Sequence, residues 1–475
     1  MEENEEEFTR LLERYKDYTK GLDSGYFDTD ELSELLCYYV NLNDKQAIND
    51  IVSIARRIHP RSIETQKMQV SLMLYNGEIK KAYEEINLIG AADFDTIKLR
   101  LTALLALNKK QEARQLVEPI LNDPDTDAEM LSDLALCYGA TQSIRQGIDF
   151  IKKCLLRFPD DHDLLHLAGQ FYDILDKPKL AEKSFKTILD SDPFDASAWI
   201  SIAELYVRWG KLPQALEAVN YAISLQPHDI SALHFKADIL TISGNTKEAV
   251  QVLLDALQEG SDPVSVYISI AHNYMIENQS TKAIEWLDKA RTKSPQSKRV
   301  LLCYFDAYIT MDDMSKARQI IDDMRKAGMA PKIILERLGM VETIEGNFIK
   351  ARTSYIKALQ LDPDNIFLLT KLGLVEWELG HYVATKRYMF HVLDIDKYFI
   401  HGYMILSAAY YKLGQYKKML EIVGNPIFEE DPNNIFFFQL CPELKPNFKQ
   451  IIDAIRNKKD IQSLLVYPAP VANNH

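Results

Sequence analysis

The chain repeats itself every 34 residues, and no other feature constrains its fold as much. From Ala196 to Asp229, Trp199, Ile202, Ala203 and Tyr206 stand at positions 4, 7, 8 and 11 of a unit. Gly210 follows at 15, Ala215 at 20, Val219 at 24, Ala222 at 27 and Pro227 at 32. One step forward puts Leu233, Lys236, Ala237, Leu240, Gly244, Ala249, Leu253 and Ala256 in the same places. One step back finds Leu165, Ala168, Gly169, Tyr172, Ala181, Phe185 and Pro193. The register runs through units beginning at Phe94, Ala128, His162, Ala196, Ile230, Val264, Lys298, Lys332, Ile366 and Ile400. An earlier pair begins at Thr29 and Ile63, and the second of these is three residues short.

Each unit reads as two helices. Positions 4, 7, 8 and 11 fall on one stripe of a first helix, and 20, 24 and 27 on one stripe of a second. Small residues at 8 and 20, such as Ala203 with Ala215 or Gly339 with Ala351, let the two approach closely. Glycine at position 15, as in Gly210, Gly244, Gly346, Gly380 and Gly414, ends the first helix. Pro178 and Pro213 suit the first turn of the second helix. Pro159, Pro193, Pro227, Pro295 and Pro363 stop it.

This pattern resembles the tetratricopeptide repeat family in its period and in its Trp, Leu-Gly, Tyr, Ala and Pro marks. The fit is close from Trp199 to Pro227, from Leu338-Gly339 to Pro363, and from Leu372-Gly373 onward. The resemblance implies an all-α fold: a right-handed superhelical solenoid of about twelve helix-turn-helix units with helical caps. The expected layout is a capping helix over 1–28, an array over 29–433, a capping helical segment over 434–466 and a disordered tail over 467–475. Phe8, Leu11, Leu12, Tyr15 and Tyr18 give the first cap its apolar face. Leu36, Val70, Leu101 and Phe305 replace the small eighth residue, which predicts wider helix spacing in those units. The whole layout is similar to long cytoplasmic bacterial proteins of this family.

Composition narrows the function. Hydrophobic residues make up 47% and charged residues 26%, as in a folded chain. The net charge of −14 repels phosphate backbones, so no nucleic-acid partner is expected. Five scattered cysteines, with no CxxC, speak for a reducing compartment and against a zinc site. The start, Met-Glu-Glu-Asn-Glu-Glu-Glu, is unlike a secretory signal, and no stretch is apolar enough to span a membrane. A cytoplasmic protein without a membrane partner is the expectation. No glycine-rich phosphate loop, GxSxG or HExxH occurs, so neither an enzyme nor a cofactor is expected.

Repeat geometry puts positions 2, 5, 9 and 12 on the concave face of the first helices. There His166, Glu204, His234, Asp238 and His272 read as a polar groove rather than a metal site. Neighbouring repeats stand about 10 Å apart, too far for their ligands to converge. Tyrosines at positions 11 and 24 read as core rather than as stacking platforms for bases. The later units present Ile268, Met275, Leu302, Ile309, Ile333, Met340, Phe367, Leu374, Trp377, Met404 and Tyr411 on the same face. Two readings stand: a groove anchored by Trp377, Phe367 and Tyr411, or side chains buried between neighbouring first helices. One subset of the family grips the C-terminal carboxylate of chaperone tails with a Lys/Asn/Arg clamp. Here acids such as Glu204 and Asp238 stand where that clamp needs cations and amides. A chaperone tail is therefore not expected, and a partner segment with an apolar body and a basic flank is.

The candidate partner-binding set is thus Glu204, His234, Asp238, His272, Met275, Met340, Phe367, Leu374, Trp377, Met404 and Tyr411. The function it supports is a non-catalytic scaffold or adaptor for a protein or peptide. A regulatory subunit of an enzyme complex and an RNA-binding helical array are the alternatives, the second opposed by the acidic balance. A transferase that uses the repeats as substrate reader would need a catalytic domain, for which too little chain lies outside the array.

Overall fold

Ten of the twelve first helices, all but those behind Ala330 and Phe399, begin behind a side chain that accepts their free amides. Asp28, Ser62, Asp93, Asp127, Asp161, Asp195, Asp262, Ser297 and Asn365 do so as N-caps in the computed structural model. Asp229 does the same through the amides of Ser231 and Ala232. Each such cap contributes about 1 kcal/mol, and together they set the register of the units. The structure describes residues 2–21, 25–90, 93–423 and 435–447, and single positions 450, 453 and 457. Among these there are 26 α-helices and no strand.

The chain divides into two compact bodies, Met1–Ile239 and Leu240–His475. The first holds α1 (Glu2–Thr19), α2 (Thr29–Asn41), α3 (Lys45–Ile58), α4 (Ile63–Tyr75), α5 (Ile79–Leu88), α6 (Phe94–Ala106) and α7 (Lys110–Asn122). It continues with α8 (Ala128–Ala140), α9 (Ile144–Arg157), α10 (His162–Ile174), α11 (Pro178–Ser191), α12 (Ala196–Arg208) and α13 (Leu212–Leu225). The division falls inside α14 (Ile230–Ile242). The second body continues with α15 (Thr246–Gln258), α16 (Pro263–Ile276), α17 (Ser280–Lys293), α18 (Lys298–Thr310), α19 (Met314–Lys326) and α20 (Pro331–Ile344). It ends with α21 (Phe348–Leu361), α22 (Ile366–Glu378), α23 (Tyr382–Ile395), α24 (Ile400–Lys412), α25 (Tyr416–Val423), α26 (Ile435–Leu440) and a 3₁₀ turn over Pro442–Asn447. The three residues missing from the second unit are missing from α5, which has 10 residues where most second helices have 13 or 14. Part of the expected C-terminal cap over 434–466, and all of the tail over 467–475, lie outside the described residues.

The turn between the two helices is stricter than the glycines alone suggest. Position 15 has a positive φ in all twelve units, from +54° at Asn43 to +78° at Gly244. Six units place Gly77, Gly210, Gly244, Gly346, Gly380 or Gly414 there. The other six place Asn43, Asn108, Gln142, Asp176, Asn278 or Asp312. A short Asn or Asp side chain tolerates this conformation by hydrogen-bonding locally, whereas glutamine gains least from it. Replacing Gln142 by Gly should therefore stabilise its unit by roughly 0.5–1 kcal/mol, the relief of strain exceeding the added entropy of the unfolded chain. Slower amide hydrogen exchange around 138–147 checks this, with Gly210→Gln as the reverse case. Nothing lies within 4 Å of a Cβ added at Gly210, so its cost is purely conformational. Faster exchange in Gln142→Gly would contradict the account.

The stripes pack as their spacing dictates. Around α12 and α13, Ile202, Ala203, Ala215, Val219 and Ala222 are buried. Where position 8 is glycine, a large side chain from position 24 covers it: Phe185 over Gly169, Tyr355 over Gly339 and Met389 over Gly373. Helix pairs with a bulky eighth residue (Leu36, Val70, Leu101 and Phe305) approach less closely than α10/α11, α12/α13 or α20/α21. The α8/α9 pair is also wide, although Ala135 and Gly147 are both small. Tyr138 and the Phe171 ring of the next unit occupy the notch that Gly147 leaves. The eighth residue alone does not set the spacing.

At the N-terminal end, Leu11 and Tyr15 of α1 are buried in one cluster with Phe27, Leu32 and Leu35. At the other end, Cys441 and Leu444 are buried in one cluster with Met404 and Tyr411. Each segment thus buries apolar side chains together with those of the adjoining repeat unit.

Candidate protein-interaction face

The first helices of the second body carry, beside their packing stripe, a row of partly open apolar side chains. Met275 of α16, Leu302 and Ile309 of α18, Ile333 and Met340 of α20 and Leu374 of α22 are half-buried. Phe367, at the start of α22, is 44% exposed, with the Lys371 ammonium 5.3 Å from its ring centre. His272 is exposed on α16.

The expected anchors need correction. Trp377 is 9% exposed, Met404 1% and Tyr411 0%. All three belong to one core cluster. Trp377 packs edge-to-face on Tyr382 of α23, ring centres 5.0 Å apart. Met404 and Tyr411 are closed in by the C-terminal segment, whose Phe438, Leu440, Cys441 and Leu444 join that cluster. The repeat register gave no notice of this, because 435–447 lies outside the repeat. Ile268 is also buried, at 9%. The row left open to a partner therefore runs from Met275 to Leu374 and stops short of α24.

A charged group interrupts that row. Arg337 of α20 is 19% exposed at its side chain and lies 3.6 Å from Asp306 of α18. Its guanidinium also covers the Phe305 ring at 5.2 Å and reaches the Met340 sulfur at 3.4 Å. The Arg337 Nε is buried without a hydrogen-bond partner among the described residues. Burial raises the Asp306 pKa, against the pull of Arg337 and His272. Asp306 stands at position 9 of its unit, so the repeat register marks it. Arg337 at position 6 lies outside the four positions used to read the face.

In the first body, Glu204 and Asp238 are exposed on α12 and α14, and His234 is half-buried. His166 is held by Ser201, Nε2 to Oγ 2.7 Å, and burial lowers its pKa, so its ring is kept neutral. Among the described residues no group of three or more His, Cys, Asp or Glu is placed to hold a metal ion. No described helix is long and apolar enough to cross a membrane.

Residues 334–365, which carry the Leu338-Gly339 pair and Pro363, match the tetratricopeptide repeat family model. The chain is a tetratricopeptide repeat protein. Residues 101–235 of this repeat protein also match the family model of the Chs5p-Arf1p-binding proteins. The human protein O-mannosyl-transferase TMTC1 is 25% identical over 214 residues, which are 43% of this chain and 24% of that protein. The chain thus spans about a quarter of that relative's length. The TPR repeat-containing protein YpiA of Bacillus subtilis is 19% identical over 312 residues, 65% of this chain and 73% of YpiA. Among solved structures, yeast Tom70 overlays with a TM-score of 0.48 and 15% identity, covering 87% of this chain and 95% of that one.

Proposed function

We propose that the protein is a non-catalytic, cytoplasmic adaptor and that Met275–Leu374 of its second body holds an apolar segment of a partner. The array is read as running from 29 to 433, with capping segments over 1–28 and 434–466. The observation that carries the groove is the open apolar row itself, with Phe367 at 44% exposure beside half-buried Met340 and Leu374. Soluble folds rarely leave such a row uncovered, and aromatic and Met side chains are common anchors. Glu204 and Asp238 of the first body suit a basic segment, and they act chiefly on association rate and salt dependence. The stacked helices hold the face in advance, so binding costs the partner's ordering entropy and little of the host's.

The test is crosslinked capture of a partner from the native cell by the intact chain and by two variants. Phe367→Ala combined with Met340→Ala should cut capture by about tenfold or more and leave melting nearly unchanged, since Phe367 is open to solvent. Trp377→Ala should instead melt early, at a cost of roughly 3–5 kcal/mol, and lose capture only through instability. Capture that survives the double variant unchanged refutes the groove.

A further inference from the structure

Within Met1–Ile239, α7 packs on α6 through Ala113, Val117 and Leu121 but stands off from α8. Its backbone does not approach α8 as the second helices of most other units approach the next first helix. Pro119 inside α7 removes one hydrogen bond of that helix. At the far end, the Arg157 guanidinium of α9 donates to the carbonyls of Leu121, Pro124 and Thr126, at 2.9, 3.0 and 2.7 Å. This latch ties the end of α7 and the following loop to α9. Between the two helices a cleft of about 500 Å³ remains.

The floor of the cleft is Val117, Leu121, Tyr138 and Phe150. The two rings stack, centres 5.5 Å apart. Tyr138 is 4% exposed, and its hydroxyl has no hydrogen-bond partner among the described residues. Burial pushes that phenol up to about 12, so it stays a neutral donor. Lys110, Arg114 and Lys153 stand at the rim, all exposed, and none is within ion-pair distance of a described carboxylate. Lys110 and Arg114 occupy the first turns of α7, where the helix dipole adds to their charge. Glu118 and Asp149 also line the rim and leave it one positive charge in excess, in a chain whose net charge is −14.

We propose that this cleft is a second docking site, which takes an acidic segment of a partner protein by inserting one large aromatic side chain between α7 and α9. The proposal rests on the reading of the chain as a protein-interaction scaffold. The volume suits an aromatic side chain with its flanking backbone, the Tyr138 hydroxyl offers a donor to that backbone, and the unpaired cations select acidic flanks. The same body presents Glu204 and Asp238 on its first helices, so its two faces select segments of opposite charge.

The test uses the intact chain and a fluorescein-labelled peptide, Asp-Glu-Trp-Glu-Asp, followed by anisotropy. Saturable binding is expected, weakened about tenfold or more by Arg114→Glu with Lys153→Glu, and likewise by alanine for tryptophan in the peptide. Gln146→Trp, which fills the cleft from its rim without changing a charge, should weaken it equally. Phe367→Ala with Met340→Ala should leave it intact, so failure here is distinguishable from failure of the groove. The site is overturned by any of four results. These are no saturation up to about 1 mM, equal binding by the charge-reversed variant, equal competition by Lys-Lys-Trp-Lys-Lys, or displacement by phenylphosphate at lower concentration than by the peptide. The last would make the cleft a site for a free anion.

Discussion

Replacing Arg157 by Ala is expected to loosen α7 and the loop after it by roughly 2–4 kcal/mol. Three carbonyls lose a charged donor at once, and each such bond is worth about 1.5–3 kcal/mol before water replaces part of it. The loss falls below the sum because the site is only part-buried and the Pro124 carbonyl faces solvent. A repeat array does not unfold in one step, so the reading belongs to local hydrogen exchange rather than to a single melting temperature. Amides of α7 and of 123–127 should exchange roughly 30- to 1000-fold faster, while those of α12 and α13 change little. Arg157→Lys should recover only a fraction, because a point charge cannot reach three carbonyls as a planar fork does. Exchange in α7 within a factor of two of the wild type would show the latch to be ornamental.

The second large effect sets one substitution against itself at three equivalent positions. Alanine for glycine inside a helix gains about 1 kcal/mol from propensity alone. At Gly169 the new Cβ would lie 2.5 Å from the Phe185 ring, and at Gly339 2.7 Å from the Tyr355 ring. Phe185 is 3% exposed and Tyr355 1%, so neither ring has room to withdraw. Overpacking of this kind costs about 1–3 kcal/mol or more, which exceeds the gain in propensity. Gly169→Ala and Gly339→Ala should therefore be net destabilising, by roughly 1–2 kcal/mol. At Gly373 the nearest atom is the terminal methyl of Met389, 2.5 Å away, at the far end of a flexible side chain. Gly373→Ala should thus be neutral or stabilising. Local hydrogen exchange in the helix pair around each glycine decides it, and the same sign at all three would refute the packing argument.

Much of this was legible without coordinates, because a repeat states its packing rules many times over. The 34-residue period, the small residues at 8 and 20, and an Asp, Ser or Asn ahead of most first helices fix where helices start and which faces they share. Glycine at position 15 marked the turn in some units. Asn43, Asn108, Asp176, Asn278 and Asp312 marked it equally, since Asn and Asp are the side chains that best tolerate the left-handed region. Reading them that way would have found every turn except that of Gln142.

The sequence by itself determined the helix pairs, their stripes and the class of surface they build, since those follow from local spacing and backbone preference. Only the tertiary structure decided which concave residues meet solvent. Trp377, Met404 and Tyr411 are buried, while Phe367 and Met340 stay partly open, although all five stand at positions 2, 5, 9 or 12 of first helices. The difference comes from what lies across from each. A segment beyond the repeat, 435–447, packs into the cluster that encloses Met404 and Tyr411. The α7 cleft has the same origin. It depends on Arg157 reaching carbonyls more than thirty residues away, and no periodicity in the chain encodes that contact.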